Sequence, residues 1–208
     1  MSLLAALLLA QAAPAPVPAD IAGYYNGSRM ELAAELVLHP DGRFDYGLSY
    51  GALDEVAAGQ WSVSEGAVVL ESDPVRPPVY SFSDLGAEQA GLVVAKLVLP
   101  QGLQPQFFSF ALVGDGIYPI EGKVDYRGEA QIAFDPAHPP AAIRVLLPIY
   151  ELVSDPFPLD LKQGGRHIEV RFTPNDLGRI AFQDTHLPIT DQGLTFERFG
   201  EKIIFRKR

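Results

Sequence analysis

Oily and polar residues alternate along this chain at period two, with a turn signal about every ten residues, and that pattern limits the fold more than any other feature. Phe44, Tyr46, Leu48 and Tyr50 are separated by Asp45, Gly47 and Ser49, and Leu32, Ala34, Leu36 and Leu38 stand opposite Glu31 and Glu35. A strand sends successive side chains to opposite faces, so each such run has one oily and one wetted surface. Short segments of this kind bury their oily face only by closing against one another, which predicts an all-β sandwich or barrel. The 19 Gly and 18 Pro point the same way, because both residues interrupt helices.

The first module reads as a β-meander over residues 21–83. The Leu32–Leu38 run leads into Pro40-Asp41-Gly42, a hairpin turn, and the run from Phe44 to Tyr50 follows. A loop is expected at Gly51–Glu55. Ala57, Gly59, Trp61 and Val63 then alternate, and Ser64-Glu65-Gly66 turns the chain into Ala67–Ser72. The Asp73–Pro78 segment breaks the pattern, with Tyr80 and Phe82 available as an edge strand. The second module, residues 92–208, holds ten candidate strands, which is too many for one layer and predicts a β-sandwich or barrel. Among them are Ala142–Val153, Arg179–Asp184, Gly193–Arg198 and Lys202–Arg206.

The cadence Gly23-Tyr24-Tyr25-Asn26-Gly27, Leu36-Val37-Leu38, Asp41-Gly42-Arg43-Phe44 and Gly59-Gln60-Trp61-Ser62-Val63 resembles the small lipocalin-like modules of bacterial envelope proteins, such as the N-terminal domain of copper-resistance and envelope-stress lipoproteins. With Ile143–Tyr150 and the segment Phe172-Thr173-Pro174-Asn175-Asp176-Leu177-Gly178, the chain as a whole is similar to a family of secreted bacterial proteins with the same two-part layout. The resemblance implies a meander and brings no catalytic chemistry. Those lipoproteins carry a lipidated Cys and Cys-x-x-Cys pairs; this chain has no cysteine, so neither anchoring nor thiolate metal binding carries over.

Residues 1–12, with the apolar run Leu3–Ala10 and the small-x-small Ala10-Gln11-Ala12, read as a signal peptide, and residues 13–20 read as a Pro/Ala-rich spacer. A periplasmic or secreted protein is therefore expected, with no transmembrane segment once the signal is removed. The net charge of −10, from 16 basic and 26 acidic residues, repels a phosphate backbone and makes nucleic acid a poor partner. The basic end, Lys202, Arg206, Lys207 and Arg208, reads as a solubilising tail.

No motif carries chemistry in a fitting context. Gly47-Leu48-Ser49-Tyr50-Gly51 matches the hydrolase elbow formally, but Ser49 lies on the polar face of a strand and not on a strand-to-helix turn. His39, His138, His167 and His186 form no metal-ligand spacing, and no metal or other cofactor is expected. The suggestive cluster is Phe44, Tyr46, Tyr50, Asp54, Glu55 and Trp61, a mixture of acids and aromatics suited to stacking on or cupping a ligand. The expected function is a non-catalytic binding or interaction protein, taking an unidentified small molecule or envelope partner. The alternatives are a carrier of lipophilic molecules with a cavity among these aromatics, and a polysaccharide-active enzyme working through paired carboxylates.

Overall fold

A computed structural model describes residues 20–208; the segment 1–12 expected to be a signal peptide and all but the last residue of the expected spacer lie outside the described residues. The protein is all-β, as the alternation requires, and divides into two compact units.

The first unit is a closed eight-stranded barrel. Its strands are β1 (Gly23–Asn26), β2 (Leu32–Leu38), β3 (Arg43–Tyr50), β4 (Leu53–Ser64) and β5 (Ala67–Ser72), joined by three from the far end of the chain, β15 (Thr185–Thr190), β16 (Gly193–Arg198) and β17 (Glu201–Lys207). Around the barrel each strand neighbours the next in sequence, apart from the step from β5 to β15, and β17 closes on β1 with Tyr25 opposite Lys207. The topology is thus an up-and-down barrel with more than a hundred residues inserted between its fifth and sixth strands. Leaving and re-entering chain meet: Ser72 N–H donates to Phe182 C=O at 2.9 Å, and Phe182 N–H donates to Ser72 Oγ at 3.0 Å.

This arrangement corrects the linear division into residues 21–83 and 92–208. The first five strands make an incomplete wall with two open edges, and a barrel removes edges by closing. The three C-terminal strands supply that closure, so the basic end is a barrel strand and not a tail. Two local expectations also change. Period-two alternation begins at Leu53, so Gly51–Glu55 is not a loop throughout. The strand expected over Ala142–Val153 stops at Leu147, because Pro148 starts a short 3-10 turn that ends on Glu151 at φ 54°.

The barrel core follows the inward face of each strand: Leu32, Ala34, Leu36 and Leu38 of β2, Phe44, Tyr46 and Leu48 of β3, and Ile203 and Phe205 of β17 are buried. Gly59 is required by close approach. A Cβ there would lie 2.8 Å from the Phe44 ring and would strike the Glu71 carbonyl oxygen on β5.

The second unit is a sandwich. One sheet has the order β10 (Glu129–Ala133), β7 (Leu92–Val98), β14 (Gly165–Thr173), β6 (Val79–Glu88), with β14 parallel to β7 and antiparallel to β6. The other has the order β12 (Leu152–Val153), β11 (Ala142–Leu147), β8 (Ser109–Val113), β9 (Ile120–Lys123), and β13 (Phe157–Pro158) also pairs with β11. Val93, Ala95, Ile132, Ile168 and Val170 from the first sheet bury against Phe110, Leu112, Ile143 and Val145 from the second. Each is the oily member of an alternating run, so the inner faces interdigitate as in other sandwiches.

Candidate functional site

Three stretches come together at one end of the barrel: the segment between β1 and β2, the end of β3 at Tyr50, and the two-residue turn Phe199-Gly200 between β16 and β17. They frame a cavity of about 310 Å³ lined by Arg29, Met30, Glu31, Leu32, Tyr50, Arg198, Phe199 and Glu201. Large apolar side chains stand in water at this rim, with Met30 90 % exposed, Tyr50 51 % and Phe199 37 %. Clustered exposed apolar residues are characteristic of binding surfaces.

The rim backbone is strained. Glu31 has φ 64° and Phe199 has φ 56°, a left-handed conformation unfavourable for residues with a Cβ. With Gly200 at φ 70°, Phe199 occupies the first central position of a type I′ hairpin turn, where Asn or Gly is the usual choice. Such strain persists where surrounding structure imposes it, and it clusters at functional sites. Across the rim, Arg29 Nη2 donates to Glu201 Oε2 at 3.0 Å; the pair is exposed and contributes about 0–1 kcal/mol.

Below the rim lies an ion pair whose acid is buried and whose base is partly exposed. Glu55 is only 4 % exposed and faces inward from β4, in step with Leu53, Ala57 and Trp61. Arg198, the last residue of β16, donates from Nε to Glu55 Oε2 at 3.1 Å and from Nη2 to Glu55 Oε1, forming a two-pronged contact. Its guanidinium also lies 4.3 Å from the centroid of the Phe199 ring. Arg198 therefore ties a buried acid on an early strand to the strained turn of two late ones.

Tyr46 is buried near this pair, and its hydroxyl has no hydrogen-bond partner. Burial pushes the phenol's pKa well above its usual value, the negative charge of Glu55 adds to the rise, and Arg198 partly opposes it. The Tyr46 ring meets Phe182 at 5.1 Å, Phe196 at 6.0 Å and Phe205 at 6.3 Å between centroids, edge to face in each case. Phe44 meets Phe182 at 5.9 Å, and Phe182 meets Phe196 at 5.5 Å. Rings thus pack against one another inside the barrel, among the residues that the carrier alternative assigns to a cavity.

The six residues singled out in the sequence do not form one site. Tyr50 lines the mouth and Glu55 lies beneath it, whereas Phe44 and Tyr46 belong to the packed interior. Trp61 sits toward the opposite end of β4, where its indole N–H donates to the His39 carbonyl at 2.9 Å in the β2–β3 turn. Asp54 and Glu55 are neighbours on a strand and so point to opposite faces, Asp54 outward and Glu55 inward. This pair of carboxylates cannot flank a common bond. Met30, Arg198 and Phe199 escaped the sequence reading. Phe199-Gly200 was recognised only as a turn, and nothing local to it announces a partner more than a hundred residues earlier.

The histidines all lie beside acids on the surface: His39 is 2.7 Å from Asp45, His138 3.0 Å from Asp135, His186 3.1 Å from Asp184 and His167 3.6 Å from Glu88. Among the described residues no group of three or more His, Asp or Glu side chains is placed to hold a metal ion, and no helix is long and apolar enough to cross a membrane. Comparison with known proteins finds no matching family model, curated protein or solved structure.

Proposed function

We propose that this chain is an exported, non-catalytic binding protein that holds a small amphipathic molecule at the barrel mouth. The observation that carries this reading is the convergence of exposed Met30, Tyr50 and Phe199 around a cavity of about 310 Å³ at the end of the barrel that also holds the pair of buried Glu55 with Arg198. Apolar walls with a few charged groups are the usual composition of a small-molecule site. A packed interior disfavours the alternative of a carrier that encloses its cargo, and the opposite orientation of Asp54 and Glu55 disfavours the paired-acid enzyme.

Native mass spectrometry of protein purified from its own cell envelope tests this reading. The expected result is a co-purifying small molecule that is lost from the Met30→Glu and Phe199→Asn variants. Protein free of any such molecule, or retention unaltered in both variants, contradicts it.

A further inference from the structure

The two sheets of the sandwich approach differently at their two seams. On one side β9 and β10 come together, with Gly122 packed so closely on Ile132 that a Cβ would strike that side chain. On the other side, strand β6 and the β12–β13 segment stand apart and enclose a groove of about 580 Å³. Its walls are Pro77, Pro78, Val79, Tyr80 and Phe82 on one side and Leu152 to Phe157 on the other, and Phe82 stacks on Phe157 at 5.0 Å across its floor.

The groove is built rather than slack. Ser154 is buried; its Oγ accepts the Val145 N–H at 2.9 Å and donates to the Asp155 carbonyl at 2.9 Å, fastening that wall to β11. The Tyr80 hydroxyl has no hydrogen-bond partner.

β6 is an edge strand, bonded only to β14, so its outer backbone N–H and C=O groups are unpaired within the sheet. Natural edges are usually guarded by bulges, prolines or charges. The far half of β6 is guarded in this way: the register with β14 slips at Leu85, beside Gly86, and Asp84 pairs with Arg166 at 3.3 Å. The half that lines the groove, Val79–Ser83, runs in regular register and contains neither charge nor proline. The facing edge is blunted by Pro156 and Pro158, so β6 is the edge left open to pairing. Asp155 is the only charged side chain in the lining, which gives the groove a negative character within an acidic protein.

We infer that this groove is a second binding surface, which takes an extended, cationic polypeptide segment of another protein as an added strand along Val79–Ser83. Backbone pairing to β6 supplies affinity, alternate apolar side chains enter the groove over Tyr80 and Phe82, and a flanking Lys or Arg meets Asp155.

Fluorescence anisotropy of the full chain with a dye-labelled peptide of about nine alternating valines and threonines, ending in two lysines, tests this inference. Saturable binding is expected, weakened about tenfold when prolines interrupt the peptide or glutamates replace its lysines. Val79→Lys and Asp155→Lys should each weaken it about tenfold at unchanged melting temperature, whereas Met30→Glu at the barrel mouth leaves it intact. No binding, equal binding of the proline-interrupted peptide, or loss of binding in Met30→Glu alone overturns the inference. So does a dimer of this chain in light scattering that Val79→Lys dissociates, since a second copy would then be the occupant.

Discussion

Tyr46 is buried and Tyr80 half-buried, and the shielded hydroxyl of each bonds to nothing; an unsatisfied buried polar group costs about 1–3 kcal/mol. Tyr46→Phe keeps the ring contacts and removes the orphan, so equilibrium urea unfolding should show a gain of about 1 kcal/mol. Both groups also make stability fall at alkaline pH. Burial raises the Tyr80 pKa from 10.0 to about 12 and pushes that of Tyr46 higher still. Below pH 10 folded and unfolded chains both keep these protons. Above it the unfolded chain releases them first, so stability falls as pH rises from about 10 to 12. Unfolding midpoints at pH 8 and pH 11 should therefore differ less in Tyr80→Phe than in the parent; an equal difference contradicts the burial of that phenol. Glu55 shows what was legible at this scale and what was not. Period two, continued back from Trp61 through Ala57, puts Glu55 inside and Asp54 outside, so its orientation was there to be read once the strand was extended. Its partner was not, because Arg198 is reached only through the closure of the barrel.

At the scale of single elements, the Phe199-Gly200 turn sets stability against binding. An aromatic residue in a left-handed position is strained, and Asn tolerates that conformation better. Phe199→Asn should stabilise the fold by about 0.5–1 kcal/mol in thermal or urea unfolding while weakening ligand retention at the mouth. A variant that is both less stable and fully competent in binding contradicts the assignment. Most strands were visible because their alternation is clean, as in β2, β3 and β14. Strand β15 was not, because Pro188 lacks a donor and reads as a breaker. It is tolerated where β15 changes partners: Thr185–Pro188 pair with β5 and Ile189–Thr190 pair with β16. The end of β11 departs from the pattern in the opposite sense, since the oily period runs on past Pro148 while the strand stops at Leu147.

On the scale of the whole chain, fold class could be read from local pattern, but the grouping of strands into units could not. Local periodicity says which residues face a core, not whose core. A meander of five strands followed by further strands looks like two domains in a row, yet closure of the first requires strands from the other end of the chain. Because Ser72 and Phe182 are hydrogen-bonded neighbours, a few residues suffice to bridge them. Replacing Pro74–Arg179 with a short Gly/Ser linker should leave a folded barrel that melts cooperatively by Trp61 fluorescence. An unfolded product would show that the barrel needs its insert.

Convergence of early and late strands on one mouth is tested most directly by a double-mutant cycle on Glu55 and Arg198, using Glu55→Gln, Arg198→Met and the pair together. If the two residues form the ion pair described above, each single change leaves its partner uncompensated, and the cycle yields a coupling of about 1 kcal/mol or more in urea unfolding. Additive effects, with a coupling within about 0.3 kcal/mol of zero, would contradict both the closure of the barrel and the site built on it.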